Sequence, residues 1–158
     1  MVTQPDRPRG RGRTLTPGPV KAKALELGLP VLQPETLRRK AVRLELAALG
    51  ADVFVVAAYG QILRPRMLAT PPMGCVNVHA SLLPSLRGAA PIQWAVARGE
   101  ARTGITIMQM DAGMDTGDIL LQRGFDLDPG ETAGSLHDRL AALGGPCLLD
   151  ALEGVVAG

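Results

Sequence analysis

The chain has 158 residues, 46% of them hydrophobic and 20% charged, which suits one soluble globular domain with a buried core. No apolar run reaches the roughly 18 residues that a bilayer span needs, and the basic opening MVTQPDRPRGRGR has no apolar segment behind it, so it does not read as a secretory signal. The net charge of +2 is uneven: Arg7, Arg9, Arg11, Arg13, Lys21 and Lys23 face only Asp6 within residues 1–23, while the rest of the chain is mildly acidic.

In chain order, residues 3–19 are rich in Pro, Gly and Arg and read as an exposed basic loop. Two readings of this arm stand: a phosphate-binding surface for a polyanion, or a solvated tail. VKAKALELGLP (20–30) reads as a short helix stopped at Gly28. PETLRRKAVRLELAALG (34–50) has helical spacing of Leu37, Val42, Leu46 and Leu49, with Gly50 as its cap. DVFVVAAYG (52–60) and GCVNVHA (74–80) read as strands, the first buried on both faces as in a parallel sheet. APIQWAVARG (90–99) is predicted helical. GITIMQM (104–110) and DILLQRGFDL (118–127) are predicted strands joined by a Gly-Asp-rich link. Residues 131–155 are predicted helical, with an interruption at Gly144-Gly145-Pro146. Alternating strands and helices imply an α/β fold with a mostly parallel sheet flanked by helices, in one domain.

Asn77 and His79 stand two apart on a strand, so both leave the same face near its carboxyl end, where open α/β sheets place their sites. An amide beside an imidazole makes a donor pair for a developing oxyanion, and the imidazole can also carry a proton near neutral pH. Three carboxylates, Asp111, Asp115 and Asp118, lie in the Gly-punctuated link MDAGMDTGD. One of them beside His79 would fix its tautomer; equally, these aspartates serve as turn caps. His137, inside the last predicted helix, reads as a surface or packing residue. Two separated histidines and two isolated cysteines, Cys75 and Cys147, make no metal-ligand set, and the cysteines are expected to be reduced thiols in a cytoplasm. No GxxxxGK[ST] phosphate loop and no GxSxG elbow is present.

Taken together, NVHASLLP, RGAAPIQ and TGITIMQMDAGMDTGDIL resemble the signature of the folate-dependent formyltransferases. VTQPDRPRGRGR, PVKAKALELGLPVLQPE and AAYGQIL are similar to the members that act on methionyl-tRNA. The resemblance covers essentially the whole chain. It implies a Rossmann-like formyltransferase fold and transfer of a formyl group from 10-formyltetrahydrofolate, without metal, to the amine of methionyl-tRNA in the cytoplasm, with no membrane partner. It matches the catalytic asparagine, histidine and aspartate to Asn77, His79 and Asp115. It matches folate contacts to Ser81, Leu82, Leu83 and Pro84, with others around Tyr59, Gly60, Gln61 and Ile62. The tRNA-facing loop matches residues 4–14, with Arg7, Arg9, Arg11 and Arg13 as its charges. Against the family pattern, the first strand, turn and helix and a C-terminal barrel domain are expected to be missing, and Leu86 stands where a large, often aromatic, residue is usual. A sugar amine or glycinamide ribonucleotide as acceptor, or a non-catalytic remnant that binds folate or RNA, are the alternatives.

Overall fold

The computed structural model describes residues 1–9 and 14–157. The chain divides into two compact units, Met1–Leu49 with Tyr59–Leu63, and Gly50–Ala58 with Arg64–Gly158.

In the first unit the N-terminal segment runs beside residues 30–32. Val2 and Leu32 form a parallel bridge, and the Met1 amino group donates to the Pro30 carbonyl at 2.7 Å. The region read as a bare loop carries two short strands, β1 (Arg7–Arg9) and β2 (Thr14–Thr16). They pair antiparallel with Arg7 opposite Thr16. This is a correction to the loop reading: Pro-, Gly- and Arg-rich composition does not prevent extended residues from pairing locally. Helix α1 (Pro19–Glu26) starts with proline in its first turn and ends just before Gly28, whose φ of +67° favours glycine. Helix α2 spans only Lys40–Ala47, six residues later than the periodicity from Pro34 suggests. Ahead of it, local side chains take the backbone donors: Thr36 Oγ1 accepts from Arg38 N–H, and Gln61 Oε1 from Leu37 N–H. Such bonds offer the backbone an alternative to helix.

The second unit holds a four-stranded sheet in the order β3 (Phe54–Ala57), β4 (Cys75–His79), β5 (Arg102–Gln109), β6 (Ile119–Asp126). The α/β class stands, but the sheet is mixed rather than mostly parallel. β3 and β4 are parallel, whereas β4–β5 and β5–β6 are antiparallel. The physical reason is clearest for β5 and β6. A parallel return needs a crossover of about a dozen residues or more, and residues 110–118 contain no helix to make one.

Helix α3 (Pro65–Leu68) precedes β4, and the Cys75 thiol reaches the Leu68 carbonyl. Helix α4 (Pro91–Arg98) ends at Gly99, in the left-handed conformation. Helix α5 runs unbroken over Ala133–Ala157 with Pro146 inside it. The expected interruption does not occur because that stretch is held by packing. Leu136, Leu140, Cys147 and Ala151 are buried with Val76, Ala95, Ile105 and Ile107 in the main core. A Cβ on Gly144 would already touch Val78 and Ile105, so the glycine lets the helix lie close on the sheet. Alternate residues of β4 therefore face α5 through Val76 and Val78, leaving Asn77 and His79 on the opposite face. Among the described residues, no helix is long and apolar enough to cross a membrane.

Candidate functional site

His79, the last residue of β4, is only 6% exposed, and both its ring nitrogens face oxygen. Nε2 lies 3.0 Å from the Leu86 carbonyl, and Nδ1 lies 3.5 Å from Asp115 Oδ2. A carbonyl oxygen only accepts, so the first contact is a bond only with the proton on Nε2. A ring protonated on both nitrogens would serve both acceptors. Asn77 donates through Nδ2 to Asp115 Oδ1 at 3.5 Å, and Gly88 N–H donates to Asp115 Oδ2 at 2.8 Å. One carboxylate thus collects the strand's amide, the strand's imidazole and a backbone donor from the following turn.

The aspartate reaches this place by an indirect path. β5 is paired so that Gln109 lies opposite Val76, and the neck of the loop closes by a bond from Gln109 N–H to the Asp118 carbonyl at 2.8 Å. The loop leaves β5 level with the start of β4 and folds back until Asp115 meets Asn77 and His79. Two features permit that return. Asp115 itself adopts φ +51°, and a Cβ on Gly117 would sit 1.8 Å from the Gln109 carbonyl oxygen, so only glycine fits. Of the other aspartates, Asp111 accepts from Gly113 N–H and from Thr116 Oγ1, which makes it the turn former of the loop. Leu86 and Ala90 also adopt positive φ, so left-handed non-glycine residues flank His79 in both neighbouring loops. Such conformations cost about 1–3 kcal/mol each and concentrate at functional sites.

The segment after His79 is pinned by side chains that the sequence did not single out. Buried Thr106, opposite His79 in the register, donates to the Ser81 carbonyl at 2.7 Å and accepts from Leu83 N–H at 3.0 Å. Gln122 Nε2 donates to both Thr106 Oγ1 and the Leu83 carbonyl, each at 2.9 Å. The visible signal was a lone threonine among the apolar residues of GITIMQM and a lone glutamine in DILLQRGFDL. Ser81 and Leu83 side chains are buried, and the Ser81 hydroxyl donates to the Ser85 carbonyl at 2.6 Å. Leu82 is partly exposed and Pro84 exposed, so these two present the side-chain surface of the segment.

The remaining expected residues belong to the first unit. Tyr59 Oη is buried without a hydrogen-bond partner among the described residues, and burial raises the pKa of the phenol. The Tyr59 carbonyl accepts from Gln4 Nε2 at 2.5 Å, Gly60 has φ +77°, and Ile62 is exposed. Gln61 bridges back to Leu37 and to the Glu35 carbonyl. Arg7 is exposed and donates to Gln4 Oε1. The Arg9 side chain and all of Arg11 and Arg13 lie outside the described residues. Cys75 and Cys147 are free and buried; burial pushes the Cys75 thiol up to about 11, away from nucleophilic use. Among the described residues, no three His, Cys, Asp or Glu side chains gather as a metal would need.

Against known proteins, residues 1–152 match the model of the formyl transferase family. The chain belongs to that family. A methionyl-tRNA formyltransferase of Marinobacter nauticus is 56% identical over 158 residues, all of this chain and 51% of that protein. One from Chromohalobacter salexigens is 60% identical over 151 residues, 96% of this chain and 46% of that protein. The chain thus spans about half the length of the curated relatives it matches. The crystal structure of a phosphoribosylglycinamide formyltransferase from Bacillus halodurans is similar with a TM-score of 0.77 at 26% identity, covering 89% of this chain and 77% of that one. The mixed sheet with helices on its faces is accordingly the Rossmann-like fold of the formyl transferases.

Proposed function

We propose that the protein transfers a formyl group from 10-formyltetrahydrofolate to the free amine of methionyl-tRNA in the cytoplasm, with Asn77, His79 and Asp115 as its catalytic residues. The observation that carries this is the convergence of Asn77 and His79 on the carboxylate of Asp115, 38 residues away in sequence from Asn77. The choice of acceptor is supported by relatives of that name at 52–60% identity, against 24–32% for solved glycinamide ribonucleotide formyltransferases, and by the basic arm.

The residue chemistry fits. As an amine adds to a formyl carbon, negative charge grows on the formyl oxygen. Asn77 Nδ2 and the His79 ring are the donors at hand to stabilise it. To donate there, Nε2–H must leave the Leu86 carbonyl, and Asp115 then holds the ring through Nδ1 and balances its charge. The same carboxylate, directly or through water, takes part in removing the amine proton. Collapse of the tetrahedral adduct restores the carbonyl, breaks the bond to N10 and passes a proton to that nitrogen as tetrahydrofolate leaves. On the donor side, Leu82 and Pro84 offer apolar surface. No step asks for a metal.

The test is transfer of labelled formyl from 10-formyltetrahydrofolate, with methionyl-tRNA, glycinamide ribonucleotide and an amino sugar nucleotide offered in parallel. Label on methionyl-tRNA is expected. Label on one of the other amines instead would reassign the acceptor, and no label on any of them would leave a non-catalytic binder.

A further inference from the structure

At the root of the basic arm, in the first unit, lies a polar cluster that the proposed chemistry does not use. Lys21 Nζ lies 2.6 Å from Asp6 Oδ2 and donates to Gln33 Oε1 at 2.7 Å. Gln33 Nε2 donates to the other oxygen, Asp6 Oδ1, at 2.9 Å and to the Gln4 carbonyl at 2.8 Å. Both carboxylate oxygens and both ends of the amide are matched. The side chains are about three-quarters covered, with Lys21 21% and Asp6 25% exposed.

The position is telling. The chain enters the arm at Asp6, immediately before β1, and leaves it into α1, which carries Lys21. The hairpin register closes at Arg7 opposite Thr16, so the Asp6–Lys21 pair joins the two legs just below the last strand pair. Gln33 ties that joint to the segment that already pairs with residues 1–3. An arm anchored on one leg swings; an arm anchored on both has its base fixed. The partner groups hold the Asp6 carboxyl below the usual range, first through the Lys21 hydrogen bond and then through Gln33.

We infer that Asp6, Lys21 and Gln33 are positioning residues that fix the base of the basic arm for the tRNA acceptor. The inference rests on the methionyl-tRNA reading above. It explains why an anionic residue stands within an arm that otherwise carries cations: Asp6 serves the joint, and the arginines serve the phosphates.

The decisive variant is Asp6→Asn, because the two physical accounts give opposite signs. Removing a negative charge beside a polyanion site strengthens binding if only electrostatics matters. Releasing a preorganised base weakens it. We expect KM for methionyl-tRNA to rise about tenfold, as loss of preorganisation does, with kcat at saturating tRNA and KM for 10-formyltetrahydrofolate unchanged. Gln33→Leu leaves every charge in place and is expected to raise the same KM, so the idea stays testable should Asp6→Asn fail to fold by circular dichroism. Tighter or unchanged methionyl-tRNA binding in either folded variant overturns the clamp while leaving the acceptor reading intact. A lowered melting temperature with unchanged KM does the same, since it marks a purely structural role. A wild-type protein that neither binds nor formylates methionyl-tRNA overturns the acceptor reading, and the clamp with it.

Discussion

Asp6 accepts from Lys21 at 2.6 Å and from Gln33 at 2.9 Å, whereas Asp115 stands 3.5 Å from both Asn77 and His79 and makes one short bond, to Gly88 N–H at 2.8 Å. Good N–H···O bonds fall at roughly 2.7–3.2 Å. The first cluster is therefore closed: each donor has its acceptor at bonding distance. The second is fixed by the backbone and loose at its side chains. A group meant to hold a structure gains from saturation. A group meant to exchange partners with a substrate gains from contacts that are near but incomplete, and such bonds in unliganded enzymes are often long until substrate arrives. The Asn77 and His79 contacts have that character, and the Asp6 contacts do not.

The sharpest way to break this comparison is to remove one member of each cluster. His79→Ala is expected to cut kcat on methionyl-tRNA by about 10²–10³, the usual cost of losing one oxyanion donor. Asp115→Asn, which keeps the Gly88 bond but loses the charge, is expected to lower kcat in the same direction. Steady-state kinetics on each variant read these out. Neither change should move KM for tRNA as Asp6→Asn does. A His79→Ala enzyme with intact turnover would remove the histidine from the mechanism.

A middle-sized effect separates the site from its support. Thr106 makes three hydrogen bonds beneath Ser81–Leu83, and none of them touches Asn77 or Asp115. Thr106→Val keeps the shape and strands Leu83 N–H and the Ser81 carbonyl. The expected loss is at least about 2 kcal/mol of unfolding free energy, since each of the two buried groups left unpaired costs about 1–3 kcal/mol. Urea unfolding measures it. Stability equal to wild type would mean that water or Gln122 replaces the hydroxyl, and that the segment is held by other contacts.

What the sequence made legible follows the range of the forces involved. The strand CVNVH and the shared face of Asn77 and His79 follow from a two-residue period, and the structure has both. The helix at 91–98 with its Gly99 stop is likewise local. Choosing Asp115 over Asp111 and Asp118 was not possible from residue types; the family resemblance pointed to it. The choice depends on how the loop returns, through a left-handed aspartate and a glycine pressed against Gln109, and no window of a few residues encodes that path. Sheet direction failed for a related reason. Alternation of strands and helices suggested parallel neighbours, yet β4 and β5 are antiparallel although α4 lies between them. Likewise, Pro146 is a strong local breaker, but α5 continues because its buried face spans the site of the break.

The smallest effect tests the closed cluster by itself. The bonds from Lys21 and Gln33 stabilise the Asp6 carboxylate, so its folded pKa lies below the ordinary 3.8. The unfolded chain then takes up this proton first as acid is added. The contribution of the pair is present in full above 3.8 and is lost as pH falls through the lower folded value. Carbon-detected titration of the Asp6 carboxyl in the folded protein should give a midpoint under 3.8, and in Lys21→Met the midpoint should move up toward it. Because Lys21 is the largest of the causes, it should move the midpoint further than Gln33→Leu does. A wild-type midpoint at 3.8 or above would mean that the cluster is not closed in solution. The contrast between a joint and a site would then fail at its structural end.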